Sequence, residues 1–291
     1  KESFFPLRTS CMTSILGKSK LERGKMPQPY PPSICKIFAI ANQKGGVGKT
    51  TTAINLSTAL AAVGKRVLLF DIDPQGNASI SVGINRDTNK CGSYEVLING
   101  APISDALINS KIPNMKVVAS TLDLSGAEVE LAGMERREYR LNEAFSEVVD
   151  DFDYVLIDCP PTLGLLTLNA LVFANSVLIP LQCEYLALEG LSQLVGTIHR
   201  VQNGFNPQLE IQGIVLTMFD SRNKLSTLVA NDVRAHFGNL VYNTIIPRNV
   251  RVSEAPSHGM PVLIYDFQCP GSQAYIHLAG EILRREEESN S

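Results

Sequence analysis

The stretch Gln-Lys-Gly-Gly-Val-Gly-Lys-Thr-Thr occupies residues 43–51, between a short apolar run and an amphipathic segment. The apolar run, Ile37 to Ile40, predicts a buried β-strand, and the apolar residues that recur through 53–63 predict a helix beginning near Gly48. A glycine-rich turn between a strand and a helix directs backbone N–H groups, and the positive end of the helix dipole, at one point. The stretch therefore predicts a phosphate-binding loop.

The side chains of this loop strengthen the prediction. Lys49 is placed to reach the β/γ-phosphates of a nucleotide, and the Thr50 hydroxyl is placed to ligate Mg²⁺. The common form of the motif has a glycine five residues before Gly48, where this chain has Gln43, and an additional lysine, Lys44, opens the loop. A glycine turn that binds nothing is the alternative, but two lysines, three glycines and a threonine pair are hard to explain by packing.

From Lys36 onward, apolar runs alternate with amphipathic stretches. This alternation predicts an α/β fold: a single doubly wound, mainly parallel sheet with helices on both faces. We expect strands at 36–41, 66–71, 115–119, 153–158, 176–180, 211–217 and 241–246. We expect helices at 48–63, 138–150, 164–174, 187–203, 224–237 and 271–288.

The segment 1–33 differs from the rest of the chain. It carries six Lys/Arg against two Glu, ends in a proline-rich run and has no sustained periodicity. Such a composition predicts a disordered basic tail. An upstream extension of the reading frame is the alternative, with Met12 or Met26 as the start. We expect residues 34–291 to form one domain, because no linker-like segment follows residue 35.

Composition narrows the function classes. The chain has 291 residues, of which 44% are hydrophobic and 19% charged, as is typical of soluble globular proteins. No apolar run approaches the roughly 20 residues that span a bilayer. The six cysteines show no CxxC and no ligand spacing with the four histidines, which indicates reduced cysteines of a cytosolic protein. The net charge of −3 excludes a globally basic nucleic-acid binder, so any DNA-binding surface is local.

Acidic residues follow two further apolar runs. Asp71 and Asp73 come after the run Arg66 to Phe70, and they share one side of the strand if it persists that far. Asp158 follows a run of four apolar residues, the pattern of a carboxylate that holds Mg²⁺ in nucleotide-binding proteins. Ligands of doubly wound folds bind at the carboxyl ends of the strands. These positions suit hydrolysis by water, because no pocket for a second substrate is evident.

The motif at 43–51 is identified as a deviant Walker A loop, and residues 36 to about 285 resemble the ParA/Soj family of chromosome- and plasmid-partitioning ATPases. The resemblance implies a P-loop NTPase that uses ATP and Mg²⁺. It implies nucleotide contacts from Lys44, Gly45, Gly46, Val47, Gly48, Lys49, Thr50 and Thr51. It also implies that Lys44 contacts the nucleotide of a second subunit, as an arginine finger does in trans, a device that contributes roughly 10³–10⁵ in rate.

Further roles follow from the same resemblance. It assigns Asp73 to the attacking water and Asp71, with Thr50 and Asp158, to the surroundings of the metal. The adenine is expected to border Thr217, Met218 and Pro247. Arg222 and Arg251 match arginines that bind DNA without sequence preference. Solvated surface arginines are the alternative for this last pair.

The implied activity is a weak, Mg²⁺-dependent ATPase. By resemblance, the chain forms an ATP sandwich homodimer, binds non-specific double-stranded DNA on the nucleoid in the cytoplasm, and is released when a ParB-like partner stimulates hydrolysis. A MinD-like regulator that acts on membrane or protein cargo is the alternative. It is disfavoured because the chain ends in Arg-Arg-Glu-Glu-Glu-Ser-Asn-Ser, residues 284–291, an acidic run that anionic lipid would repel. Iron–sulfur relatives of this loop type are disfavoured by the absence of their cysteine motifs.

Overall fold

One sheet organises the part of the chain that this computed structural model describes, residues 35–86, 89–145 and 149–289. Its seven strands lie in the order β3-β4-β2-β5-β1-β6-β7, and every neighbouring pair is parallel except β3 and β4. The strands are β1 (Lys36–Ile40), β2 (Val67–Asp71), β3 (Leu107–Asn109), β4 (Met115–Val118), β5 (Tyr154–Asp158), β6 (Ser176–Gln182) and β7 (Glu210–Thr217). The predicted α/β fold with a mainly parallel sheet is confirmed.

Helices connect the strands and cover both faces of the sheet. The first half contains α1 (Lys49–Ala62), α2 (Asn77–Ser81), α3 (Ser93–Leu97), α4 (Ile103–Ala106), α5 (Ala127–Ala132) and α6 (Arg140–Ala144). The second half contains α7 (Leu165–Phe173), α8 (Ala187–Gly204), α9 (Lys224–Phe237), α10 (Val250–Glu254), α11 (Val262–Tyr265) and α12 (Pro270–Ser289). Short 3-10 helices occur at Leu122–Gly126, Val149–Asp151, Gly238–Leu240 and Ala255–His258.

Two hydrophobic cores lie on the two faces of the sheet, because side chains alternate along each strand. Ile37 and Ala39 of β1 belong to the core that includes α7 and α8. Phe38 and Ile40 belong to the core that includes α1 and α12. The central strands β1, β2 and β5 are therefore buried along nearly their whole length, the pattern of a parallel sheet covered on both sides.

The strand predicted at 241–246 is wrong. Only isolated bridges continue the sheet there, one from Val241 to Ile214 and one from Pro247 to Phe219, among the residues described. Between the two bridges, the backbone N–H groups of Asn243 and Thr244 donate instead to the Glu281 carboxylate of α12, both at 2.9 Å. The ladder is interrupted because a helix side chain takes these donors.

Other boundaries also differ from the expectation. The helix predicted at 138–150 is helical only over Arg140–Ala144, with a 3-10 turn at Val149–Asp151 and residues 146–148 outside the described part. The short antiparallel edge strand β3 was not predicted. The strand carrying Asp71 ends at that residue, so Asp73 lies beyond it in a turn. The proposed tail, residues 1–33, lies outside the described residues.

Candidate nucleotide-binding site

The glycine-rich loop connects β1 to α1, as its sequence predicts. Gly46 and Gly48 have φ angles of 72° and 87°, a backbone conformation that is strained for any residue with a side chain. Val47 is buried, and its carbonyl oxygen accepts a hydrogen bond of 2.7 Å from the Thr217 hydroxyl at the end of β7. The loop is therefore held to the end of β7 through Val47, while Gly45 and Gly46 are exposed to solvent.

The two lysines of the loop point to different places. Lys49 is buried, and its Nζ donates to the Lys44 carbonyl oxygen at 3.2 Å. Burial lowers the pKa of Lys49, while the Asp158 charge opposes that change. The Lys44 side chain is half exposed, and its Nζ donates to the Glu184 carboxylate, which follows β6. Lys44 is consequently paired with a residue of the same chain, outside the loop interior.

Asp158 ends β5 in the middle of the sheet, in register with Ile40 of β1 and Asp71 of β2. It is fully buried, and neither of its carboxylate oxygens accepts a hydrogen bond of normal geometry among the residues described, although the Thr50 side chain lies close enough to affect its pKa. Burial raises the pKa of Asp158, the Asp71 charge raises it further, and Thr50 and Lys49 oppose the change. Unpaired buried carboxylate oxygens are costly unless a cation uses them, so the residues present fit Mg²⁺.

Asp71 is buried too, but its oxygens are occupied. One accepts the Asp73 N–H at 3.1 Å, and the other accepts the Ser79 N–H at 2.8 Å and the Ser79 hydroxyl at 2.6 Å. Burial raises its pKa to about 6 despite these bonds. Asp71 therefore holds the turn that follows β2. Within the described ranges, no group of three or more His, Cys, Asp and Glu could hold a metal by itself.

A cavity of about 510 Å³ lies over the loop. It brings together ten of the residues predicted for the site: Gly45, Gly46, Gly48, Lys49, Thr50, Thr51, Asp73, Thr217, Met218 and Pro247. It does not include Lys44, Val47, Asp71 or Asp158. The cavity is thus bounded by the phosphate loop at one end and by the segments after β7 at the other.

Several residues that line the cavity were missed by sequence reasoning: Gln75, Asn77, Pro161, Ile246, Arg248, Asn249, Val252, Ser253, Pro256 and Tyr275. A signal existed for those near Pro247, because they directly follow a predicted site residue. None existed for Tyr275, which comes from the distant helix α12 and whose hydroxyl lies 3.3 Å from that of Thr52. Its position depends on packing of α12 against α1.

The two segments expected near the adenine lie side by side. The Phe219 N–H donates to the Ile246 carbonyl oxygen at 3.0 Å, and the Arg248 N–H donates to the Phe219 carbonyl oxygen at 3.0 Å. Met218 adopts a φ of 47°, uncommon for a residue with a side chain. Paired, strained loops at a cavity mouth are suited to shaping a ligand pocket.

The two arginines predicted to bind DNA are exposed, and both form ion pairs. Arg222 donates to the Asp220 carboxylate at 2.9 and 2.8 Å, and this pairing lowers the pKa of Asp220 to about 2. Arg251 lies 3.0 Å from the Glu254 carboxylate and 3.5 Å from that of Asp266. The positive charge of each arginine is therefore partly offset on the isolated chain.

The strand–loop–helix, the buried strand-end carboxylate and the cavity above them define a P-loop nucleotide-binding protein. A family model described as an AAA domain matches residues 35–211. The ParA chromosome partitioning protein of Caulobacter vibrioides is 58% identical over 255 residues, 87% of this chain and 96% of that one. Soj of Bacillus subtilis, a sporulation initiation inhibitor protein, is 51% identical over 85% of this chain and 98% of its own. The chain belongs to the ParA/Soj family of chromosome-partitioning ATPases.

Solved structures share the fold. Cobyrinic acid a,c-diamide synthase from Mycobacterium smegmatis, with bound ATP analog and magnesium, is 39% identical with a TM-score of 0.77 over 88% of this chain and 97% of that one. The cell division ATPase MinD of Pyrococcus furiosus is 27% identical with a TM-score of 0.72 over 86% and 98%. Within the described ranges, no helix is long and apolar enough to cross a membrane.

Proposed function

We propose that this chain binds Mg·ATP, closes with a second copy into a sandwich dimer, and in that state binds double-stranded DNA without sequence preference on the nucleoid. Hydrolysis, stimulated by a ParB-like partner, then releases the DNA. The observation that carries the proposal is the pair of loop lysines, one buried in its own site and the other directed away from it. A single P-loop needs only the first of them.

Within one subunit, the roles follow from burial and hydrogen bonding. The loop N–H groups and Lys49 bind the phosphates, while Thr50 and Asp158 would hold Mg²⁺, which neutralises charge on the β- and γ-phosphates. Asp73 lines the cavity, and its carboxylate accepts the Gln75 N–H at 2.9 Å. One carboxylate oxygen bound to the backbone keeps the side chain in place to orient the attacking water.

Lys44 is assigned to the site of the partner copy. Its side chain is half exposed and outside its own cavity, so a facing subunit can displace Glu184 and accept the ammonium beside its nucleotide. An exposed ion pair contributes only about 0–1 kcal/mol, which a nucleotide phosphate exceeds. Gly45 is exposed with no heavy atom within 4 Å of an added Cβ, so close approach there depends on the second copy.

DNA binding is assigned to Arg222, in the loop between β7 and α9, and to Arg251, in α10. A dimer doubles the number of phosphate contacts, and each contact releases counterions, so the affinity falls steeply as the salt concentration rises. No recognition helix is proposed, because base contacts are not required for sequence-independent binding.

The test is binding of a random-sequence DNA duplex with ATP, with ADP and without nucleotide, at low and moderate salt. Lys44→Gln and Arg251→Glu are compared with Lys65→Glu, a charge reversal just before β2, at the amino-terminal ends of the strands and away from the phosphate loop. We expect the wild type to bind DNA with ATP but not with ADP or without nucleotide, and more weakly at moderate salt. Binding should be lost in Lys44→Gln and Arg251→Glu and kept in Lys65→Glu.

Two outcomes contradict the proposal. DNA binding that is equal with ATP and ADP removes the nucleotide switch. ATP-dependent dimerisation without DNA binding favours the alternative, a MinD-like regulator that acts on membrane or protein cargo. In that case, vesicles of anionic lipid replace the DNA in the same comparison.

A further inference from the structure

The turn between β2 and α2 forms one wall of the cavity, and a distant arginine holds it. Asp73, Gln75 and Asn77 of this turn line the cavity. The carbonyl oxygens of Pro74 and Gln75 accept hydrogen bonds from Arg86, which does not itself line the cavity: 2.8 Å from Nη2 to Pro74 and 2.7 Å from Nη1 to Gln75. The backbone directly after Asp73 is therefore held in place by a side chain that lies outside the cavity lining.

The same guanidinium also reaches the end of the neighbouring strand β4. Its Nε donates to the Ser120 carbonyl oxygen at 2.8 Å, and its Nη2 donates to the Thr121 carbonyl oxygen at 2.9 Å. Arg86 thus joins the turn after β2 to the segment after β4 through four carbonyl oxygens. A planar fork of donors can make these bonds together, whereas the single ammonium of a lysine cannot.

Gly76 makes room for this arrangement. Its φ is +63°, and a Cβ added there would lie 2.3 Å from Arg86 Nε and 2.4 Å from Cζ. Any side chain at this position would therefore displace the guanidinium. Gly76 and Arg86 form one unit, which we call the Arg86 clamp.

We propose that Arg86 is a positioning residue for ATP hydrolysis: through the clamp it sets the turn that carries Asp73, without contacting the nucleotide. The inference rests on the proposed function, and specifically on the assignment of the attacking water to Asp73. Arg86 makes no hydrogen bond to the phosphate loop among the described contacts, and it does not line the cavity. Its loss should reduce the chemical step and leave nucleotide binding intact.

The test measures kcat and KM for ATP hydrolysis, together with the affinity for a fluorescent ATP analogue, in Arg86→Gln and Arg86→Lys. The matched control is Arg140→Gln, since Arg140 also donates to carbonyl oxygens, those of Leu97 and Ile98, away from the cavity. A displacement of about 1 Å can cost about 100-fold in rate, so we expect kcat to fall about 10- to 100-fold in both Arg86 variants. KM and analogue affinity should change less than about threefold, the signature of a contact that affects only the transition state.

Thermal unfolding separates positioning from general stability. Both Arg86→Gln and Arg140→Gln should lower the melting temperature, Arg86→Gln by more, because Arg86 donates to four carbonyl oxygens and Arg140 to two. Only Arg86→Gln should also lower kcat. Gly76→Ala provides a second route, since its methyl group displaces the guanidinium without removing it, and it should reproduce the fall in kcat if Arg86→Gln does not fold.

Three results would overturn the clamp. These are a kcat for Arg86→Gln no lower than that of Arg140→Gln, a full rescue by lysine, or a loss of analogue affinity equal to the loss of kcat. Failure of the proposed function is distinct: the DNA-binding test can fail while ATP hydrolysis persists, and the clamp is then still tested on kcat. If the wild-type chain hydrolyses no ATP, the clamp fails together with the proposed hydrolysis. If wild-type hydrolysis is normal and the Arg86 variants match the control, only the clamp is wrong.

Discussion

The unpaired oxygens of Asp158 make a sharp prediction about Asp158→Asn. The buried carboxylate has no hydrogen-bond partner for either oxygen in the described part of the chain, and burial raises its pKa. Without metal, its desolvation costs the folded state about 1–3 kcal/mol, which Thr50 and Lys49 offset only in part because the pKa stays raised. Removing the charge at nearly constant volume should therefore stabilise the nucleotide-free protein by about 2 kcal/mol.

The assay is thermal unfolding in EDTA and in saturating Mg·ATP. A stabilisation of about 2 kcal/mol corresponds to about 4–8 °C for a domain of this size, so Asp158→Asn should melt above the wild type in EDTA. Mg·ATP at about 100 times its Kd adds about 2.7 kcal/mol to the wild type. The variant should gain much less and should hydrolyse no measurable ATP, because it lacks a metal ligand.

The matched control is Asp153→Asn. Asp153 directly precedes β5, the strand that ends in Asp158. Its carboxylate accepts hydrogen bonds from the Arg66 backbone N–H at 2.7 Å and from the Arg66 guanidinium at 2.8 Å, and this pairing lowers its pKa. This control should melt below the wild type, with its response to Mg·ATP unchanged. If Asp158→Asn also melts below the wild type in EDTA, the carboxylate is satisfied in the folded protein and the metal assignment loses its basis.

Three further substitutions test the contacts of the site. Glu184→Gln should free Lys44 and speed ATP-dependent dimerisation several-fold, as followed by light scattering; a slower rate would mean that Glu184 belongs to the dimer interface. Asp220→Asn should release Arg222 and tighten ATP-dependent DNA binding several-fold at low salt in a fluorescence anisotropy assay, and unchanged affinity would remove Arg222 from the DNA surface. Thr217→Val deletes the hydroxyl that supports the phosphate loop, so it should cost about 1–2 kcal/mol in urea unfolding and weaken ATP binding; retained ATP affinity would mean that the loop holds its shape alone.

Sequence reasoning predicted the central strands and the long helices closely, and it failed where a distant side chain intervened. The helix at 224–237 matches its prediction at both ends, because the Asn223 side chain caps its first turn by accepting the Leu225 N–H at 3.0 Å. The segment 241–246 has the apolar composition of a strand, yet Glu281 of α12 takes two of its backbone donors. No local pattern records a contact between residues this far apart in the chain.

The candidate site also contains residues that the sequence predicted and residues whose surroundings only the fold determines. The phosphate-loop motif, and for Asp73 the family resemblance, predicted residues that line one cavity. The environments of Asp71 and Asp158 depend on the fold. Both are carboxylates at strand ends, and one is satisfied by Ser79 while the other is not. The difference comes from what lies beside each strand end.

The sequence by itself determined the P-loop, the α/β class and the family, because glycine positions, hydrophobic periods and strand-end carboxylates are properties of short segments. The tertiary structure alone decided that Lys44 pairs with Glu184, that Arg86 reaches across to the turn after β2, and that Tyr275 enters the cavity. Each of these depends on the sheet order and on helix packing, which bring together side chains from segments that no local spacing relates.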